Sequence, residues 1–178
     1  LFGAFLGTLS VYALYRMAKR FWSMETALLA GLFFATCFLH VRDSHYIYAD
    51  IPLVLVLILG FIQILKLSEN PERWPLHLKV GVLIGLAVAT KYNGIFLVLP
   101  YFWICIRQLN WKKWVPVWLL TACAVLGVFF LLNPYALLDR SFFLRELLLQ
   151  SQSNQGVSWW HYLTYSLPGA LGGYLLLV

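Results

Sequence analysis

Arg42, Asp43, His45 and Asp50, with His40 just ahead of them, crowd five ionisable side chains into eleven positions of a chain that elsewhere runs for long stretches without any. A carboxylate in such a cluster can hold a metal ion, bond a sugar hydroxyl or receive a reacting proton. Asp50 stands before Ile51-Pro52, a sequence that suits the entry to a helix, with proline in the first turn and aspartate as the N-cap. Two roles are therefore open for Asp50: capping alone, or capping while its carboxylate faces a polar cavity. Arg42 and Asp43 fit either a weak surface pair in a solvated loop or part of the same polar site. His45 and Asp50 are candidate ligands for a divalent metal ion, although two ligands do not define such a site.

A second group with chemical potential is Lys91-Tyr92-Asn93-Gly94. An ammonium at membrane depth costs about 2.5–3.5 kcal/mol unless it is paired or reaches the interface. Lys91 then either extends its four-carbon stem to the outer head groups or lines a cavity and receives an anion such as a lipid phosphate. Tyr92 and Asn93 place a hydroxyl and an amide beside it, both suited to polar ligands.

The elements that must position these residues are membrane helices. Apolar residues make up 62% of the 178 and charged residues 11%, against roughly 45–50% and 25% in soluble domains. Soluble domains of about 150 residues still expose about 30% of their chain area, so this composition requires lipid as solvent. Apolar helices are expected at 1–15, 24–41, 50–67, 78–91, 94–107, 114–133 and 162–178, which makes an all-α, polytopic transmembrane bundle of about seven helices. The segment 78–90 is too short to cross fully, so Lys91 and Asn93 should lie at or below the outer interface in backbone that turns at Gly94.

Charge gives the orientation. Arg16, Lys19, Arg20, Lys66, Arg73, Lys79, Arg107, Lys112 and Lys113 fall on one side, and Arg42, Lys91, Arg140 and Arg145 on the other, which accounts for all 13 basic residues. The richer side is expected to be cytoplasmic. The His40–Asp50 loop, the Lys91–Gly94 turn and the stretch 134–161 then face outward. Within that stretch Phe142, Phe143, Leu144, Leu147 and Leu148 recur at helical spacing, which suits an amphipathic helix lying in the outer interface. The basic residues form short clusters between apolar runs, with no basic stripe interleaved with aromatics, so nucleic acid is not an expected partner. Cys37, Cys105 and Cys123 sit inside apolar segments and read as inert thiols. Both ends of the chain stop within apolar patterns, so 1–178 is read as an internal fragment of a single transmembrane domain.

The run Arg42-Asp43-Ser44-His45-Tyr46 leading to Asp50-Ile51-Pro52-Leu53 resembles a family of polytopic C-type glycosyltransferases, as do Gly85-Leu86-Ala87-Val88-Ala89-Thr90-Lys91-Tyr92-Asn93-Gly94 and Asn133-Pro134-Tyr135-Ala136-Leu137-Leu138-Asp139. That family includes protein O-mannosyltransferases, of the dolichyl-phosphate-mannose type, and aminoarabinose transferases. The resemblance covers essentially the whole chain. It implies an enzyme that moves a sugar from a polyprenyl-phosphate carrier to a lipid, glycan or protein acceptor on the outer face of a membrane, most simply the bacterial plasma membrane. It also implies a catalytic acidic residue in a first outer loop, ahead of Leu1, and a second at the start of a later helix, which matches Asp50. The lysine after an Ala-Thr pair matches Lys91, with a phosphate-contacting role.

The expected site therefore has Asp50 and Asp43 as catalytic carboxylates, with Lys91, Tyr92, Asn93, Arg42 and His45 binding substrate. A divalent metal ion is an open cofactor, with His45 and Asp50 as its ligand candidates. No Gly-rich nucleotide loop is present, and none is required by a donor whose phosphate is already a leaving group. The rival function is a secondary transporter, which also builds substrate sites at broken helices, although usually at the midplane and with an inverted repeat. A non-catalytic membrane subunit would account for the helices but would leave the outer ionisable cluster idle.

Overall fold

The computed structural model describes residues 1–46, 48–108, 110–153, 159–161, 164 and 167–170, and among these every regular element is helical. The helices α1 (Phe2–Ala18), α2 (Met24–Thr36), α3 (Phe38–His45), α4 (Asp50–Glu69) and α5 (Trp74–Thr90) lead to a 3₁₀ turn over Tyr92–Leu97. There follow α6 (Val98–Gln108), α7 (Trp111–Leu132), the short α8 (Tyr135–Leu138), α9 (Arg140–Ser153), and two further short pieces, α10 (Trp159–His161) and α11 (Leu167–Ala170).

Local chemistry sets several of these boundaries. Ser23 Oγ accepts the Thr26 N–H at the start of α2, and Asn110 Oδ1 accepts the Lys112 N–H at the start of α7. Pro75 occupies the first turn of α5, where a missing N–H is no loss. Asp139 precedes α9 and accepts the Phe142 N–H at 3.0 Å and the Ser141 hydroxyl at 2.8 Å. The backbone bond from Phe142, then the hydroxyl of Ser141, hold the Asp139 carboxyl below its ordinary pKa.

Two expectations about helix boundaries are corrected. The segment 24–41 is not one helix: it stops at Thr36, passes through extended backbone at Cys37, and resumes as α3 with a bend of 55°. Most of the expected outer loop is thereby helical. Its polar residues close their own turn, since Ser44 Oγ donates to the His40 carbonyl at 2.6 Å and His45 Nδ1 lies 2.8 Å from the Val41 carbonyl. Helix α5 begins at Trp74 and not at Leu78, which gives it 17 residues, or roughly 25 Å at 1.5 Å per residue. The extra turn holds His77, a polar residue that the structure buries completely.

Packing runs through α4, α5, α6 and α7. Ile64, Leu67, Leu76, Val80, Ile84, Leu97, Tyr101 and Cys105 form the buried core. Inside it, His77 Nε2–H donates to the Pro71 carbonyl at 2.7 Å, which leaves Nδ1 to accept the Tyr101 hydroxyl at 3.0 Å. The Tyr101 oxygen in turn lies 2.7 Å from Thr121 Oγ1. This chain ties α5, α6 and α7 with polar groups that have no access to water, and every link is satisfied. Helices α5 and α7 approach closely at Gly81 and Gly85, one turn apart. A Cβ at Gly81 would stand 2.8 Å from the Thr121 carbonyl oxygen, and one at Gly85 would stand 2.9 Å from that of Val125. Small residues at this spacing are how membrane helices gain contact area without a hydrophobic drive.

Among the described residues, α4 and the Val115–Leu132 part of α7 are long and apolar enough to cross a membrane, and the bent pair α2–α3 makes a third if counted as one span. Two to three of the seven expected spans are thus seen among the described residues, and most of the last expected segment, 162–178, lies outside them.

Candidate active site at the Asp50–Lys91 end

Ion pairs define the two ends of the bundle. Arg20 bonds Glu69, and Lys113 Nζ donates to Glu72 Oε1 at 2.6 Å, which gathers the C-termini of α1 and α4 with the start of α7. The opposite end holds the N-terminus of α4, the C-terminus of α5 and helix α3, which leans on the start of α1.

At that opposite end the Lys91 ammonium donates to Asp50 Oδ1 at 2.6 Å. Neither sequence role for Asp50 anticipates this partner. Asp50 is the first residue of α4 and not its cap: Ala49 is the N-cap, and no side chain caps the helix. Nor does Lys91 only reach for head groups. It follows the last turn of α5 in extended backbone, its N–H bonded to the Ala87 carbonyl at 2.9 Å. The chain then turns tightly, with the Gly94 N–H on the Lys91 carbonyl at 2.8 Å. Gly94 is required there, because a Cβ would collide with the carbonyl group of Ala87. The short α5 and this turn thus set the ammonium beside the head of α4.

The side chains of Lys91 and Asp50 are 39% and 46% exposed. A pair this accessible adds no more than about 1 kcal/mol to stability, while both groups remain within reach of a ligand. Lys91 commits one of its three N–H donors to Asp50, and Asp50 retains a second oxygen.

Other expected site residues are placed differently. Asp43 is nearly enclosed, and it accepts Arg42 Nε at 2.8 Å. His40 is buried against α1, with Nε2 3.2 Å from the Gly7 carbonyl and its ring stacked on Phe34. His45 is exposed but has Nδ1 engaged by its own helix. Asn93 is exposed in the 3₁₀ turn. Tyr92 meets the edge of Phe143 at 6.3 Å between centroids, and Phe143 also meets Phe129. These contacts dock α9 against the end of α7, beside Lys91. Among the described residues no three His, Cys, Asp or Glu side chains converge as metal ligands.

Apolar helices joined by short turns, with a charged pair at one end, define an integral membrane protein. The chain belongs to the dolichyl-phosphate-mannose-protein mannosyltransferase family, whose model matches residues 1–168. That is a family of membrane glycosyltransferases that use polyprenyl-phosphate sugars as donors, and membership leaves the transporter reading without support. No curated protein and no solved structure matches the chain. Sequence reasoning found both members of the charged pair and missed the pairing. The signal available was physical: a lysine in so apolar a setting is costly unless it is paired or reaches the interface, and Asp50 lies at the same end.

Proposed function

We propose that the Asp50–Lys91 end faces outward across the plasma membrane and that the polyprenyl-phosphate sugar is consumed there. The observation that carries this reading is the Lys91–Asp50 contact at 2.6 Å, half-exposed between the start of α4 and the end of α5. In the transfer, an acceptor oxygen attacks the anomeric carbon, the bond from that carbon to the phosphate oxygen breaks, and polyprenyl phosphate departs as an anion. Lys91 neutralises the charge that grows on the phosphate, using donors that Asp50 leaves unused. Asp50 holds the ammonium in position. The acceptor proton passes to a carboxylate; Asp50 is the candidate beside the leaving phosphate, and Asp43, held by Arg42, is the more enclosed one. Tyr92 and Asn93 contribute a hydroxyl and an amide to sugar or acceptor. Helix α9 lies in the outer interface over this end, and the remaining apolar segments complete a bundle of about seven spans.

The orientation follows from charge. The end joined by Arg20–Glu69 and Lys113–Glu72 carries the nine basic residues and only Glu25, Glu69 and Glu72, so the whole formal charge of +6 resides there. Four bases and four acids balance at the other end. Of this, the nine-to-four division of Lys and Arg is the part that supports a cytoplasmic position for the basic end, since acidic residues contribute little to topology.

Donor-concentration dependence of transfer by wild type, Lys91→Met and Lys91→Arg tests the assignment. A hydrogen bond to a charged group is worth about 1.5–3 kcal/mol, so Lys91→Met should lose roughly tenfold to a hundredfold in kcat/KM for donor. Lys91→Arg should recover part of it, since the charge is kept and the shape is not. Three equal donor curves would make Lys91 an interfacial anchor and remove it from the site.

A further inference from the structure

A groove of about 860 Å³ opens between the last turns of α1 and α4, at the end of the bundle away from Lys91. Four cations line it: Arg16, Lys19 and Arg20 from α1 and its exit, and Lys66 from α4. Glu69 pairs with Arg20, which leaves the rim with a positive excess of three. Two of the cations are held by aromatic rings. Arg16 lies 6.0 Å above the Tyr12 ring and donates to its hydroxyl at 3.2 Å, and the Lys19 ammonium lies 5.8 Å above the Tyr15 ring. Deeper along α4 the wall turns apolar, with Leu59, Ile62 and Leu65. Leu59 is seven residues before Lys66, or roughly 10 Å further into the membrane.

Basic residues at this end are accounted for in part by the retention of one face in the cytoplasm and by the negative ends of helix dipoles. Both of those need only charge near the surface. Neither needs a recess with cations fixed over tyrosine rings at its mouth and aliphatic side chains below. That vertical order matches a phospholipid, whose phosphate sits at the head-group level and whose chains run inward. We infer that this groove binds a glycerophospholipid with an anionic head group, its phosphate among Arg16, Lys19 and Lys66 and an acyl chain along Leu59, Ile62 and Leu65. Asp50 and Lys66 are sixteen residues apart on one helix, roughly 24 Å, so the bound lipid is separate from the sugar donor and does not depend on the function proposed above.

Native mass spectrometry of the full chain in mild detergent, exposed to phosphatidylglycerol and phosphatidylcholine together, reads the site directly. Wild type should retain phosphatidylglycerol in preference to phosphatidylcholine. The triple variant Arg16→Gln/Lys19→Gln/Lys66→Gln should bind it roughly a hundredfold more weakly, at about 1 kcal/mol for each basic residue near the surface. Arg107→Gln/Lys112→Gln/Lys113→Gln removes the same charge outside the groove and should keep the lipid. If the groove triple fails to fold, Ile62→Trp fills the recess with every charge in place, and it should displace phosphatidylglycerol. Equal loss in both triples, equal retention of both lipids, or undiminished phosphatidylglycerol on Ile62→Trp would each overturn the inference.

Discussion

Asp50 begins α4 with two kinds of donor near it, the amide hydrogens of its own first turn and an ammonium 41 positions later, and its carboxylate goes to the ammonium. Asp50→Asn therefore does not remove a cap. It leaves the start of α4 unchanged and takes away the charge opposite Lys91. The thermal midpoint in detergent should move little, by no more than the ~1 kcal/mol that exposed pairs supply, while transfer falls at least tenfold. Full turnover by Asp50→Asn would show that the carboxylate has no part in the reaction. The residue types at this site were legible in the sequence, because an acid before Ile51-Pro52 and a lysine after Ala89-Thr90 stand out in so apolar a chain. Their contact was not legible, since it depends on how α4 and α5 lie against each other. The same holds for Asp43, a loop carboxylate by sequence and an almost enclosed one in the fold.

Helices were readable where apolar runs are unbroken, as in α4 and α7, and misjudged where polar residues belong inside them. His77 hid the first turn of α5, because its satisfaction comes from Tyr101 on another helix. The polar run from His40 to His45 passed for a loop, because its side chains bond carbonyls of their own turn or of α1. Glycine spacing also carries information at this scale. A Cβ at Gly85 would stand 2.8 Å from that of Val128, whereas one at Gly127 would meet nothing within 4 Å. Gly85→Leu should therefore destabilise the α5–α7 packing by about 1–3 kcal/mol. Gly127→Leu, an equal increase in size on α7, should be tolerated. Thermal unfolding of the two variants in one detergent compares them, and equal midpoints would mean that the close approach of α5 and α7 does not matter to stability.

For the whole molecule, one covalent order of helices sorts charge into a strongly basic end and a neutral one. The neutral end is where the broken helix, the Asp50–Lys91 pair and the docked α9 converge. The central claim is that this end faces outward and performs the transfer. Asn93, exposed beside Lys91, and Asn70, exposed at the basic end, report on it. Each is changed to cysteine, intact cells are treated with a bulky membrane-impermeant thiol reagent, and labelling and transfer are measured against the unaltered protein treated alike. Asn93→Cys should be labelled and lose transfer on labelling, and Asn70→Cys should be neither labelled nor impaired. Labelling of Asn70→Cys from outside, with Asn93→Cys untouched and active, would contradict the account.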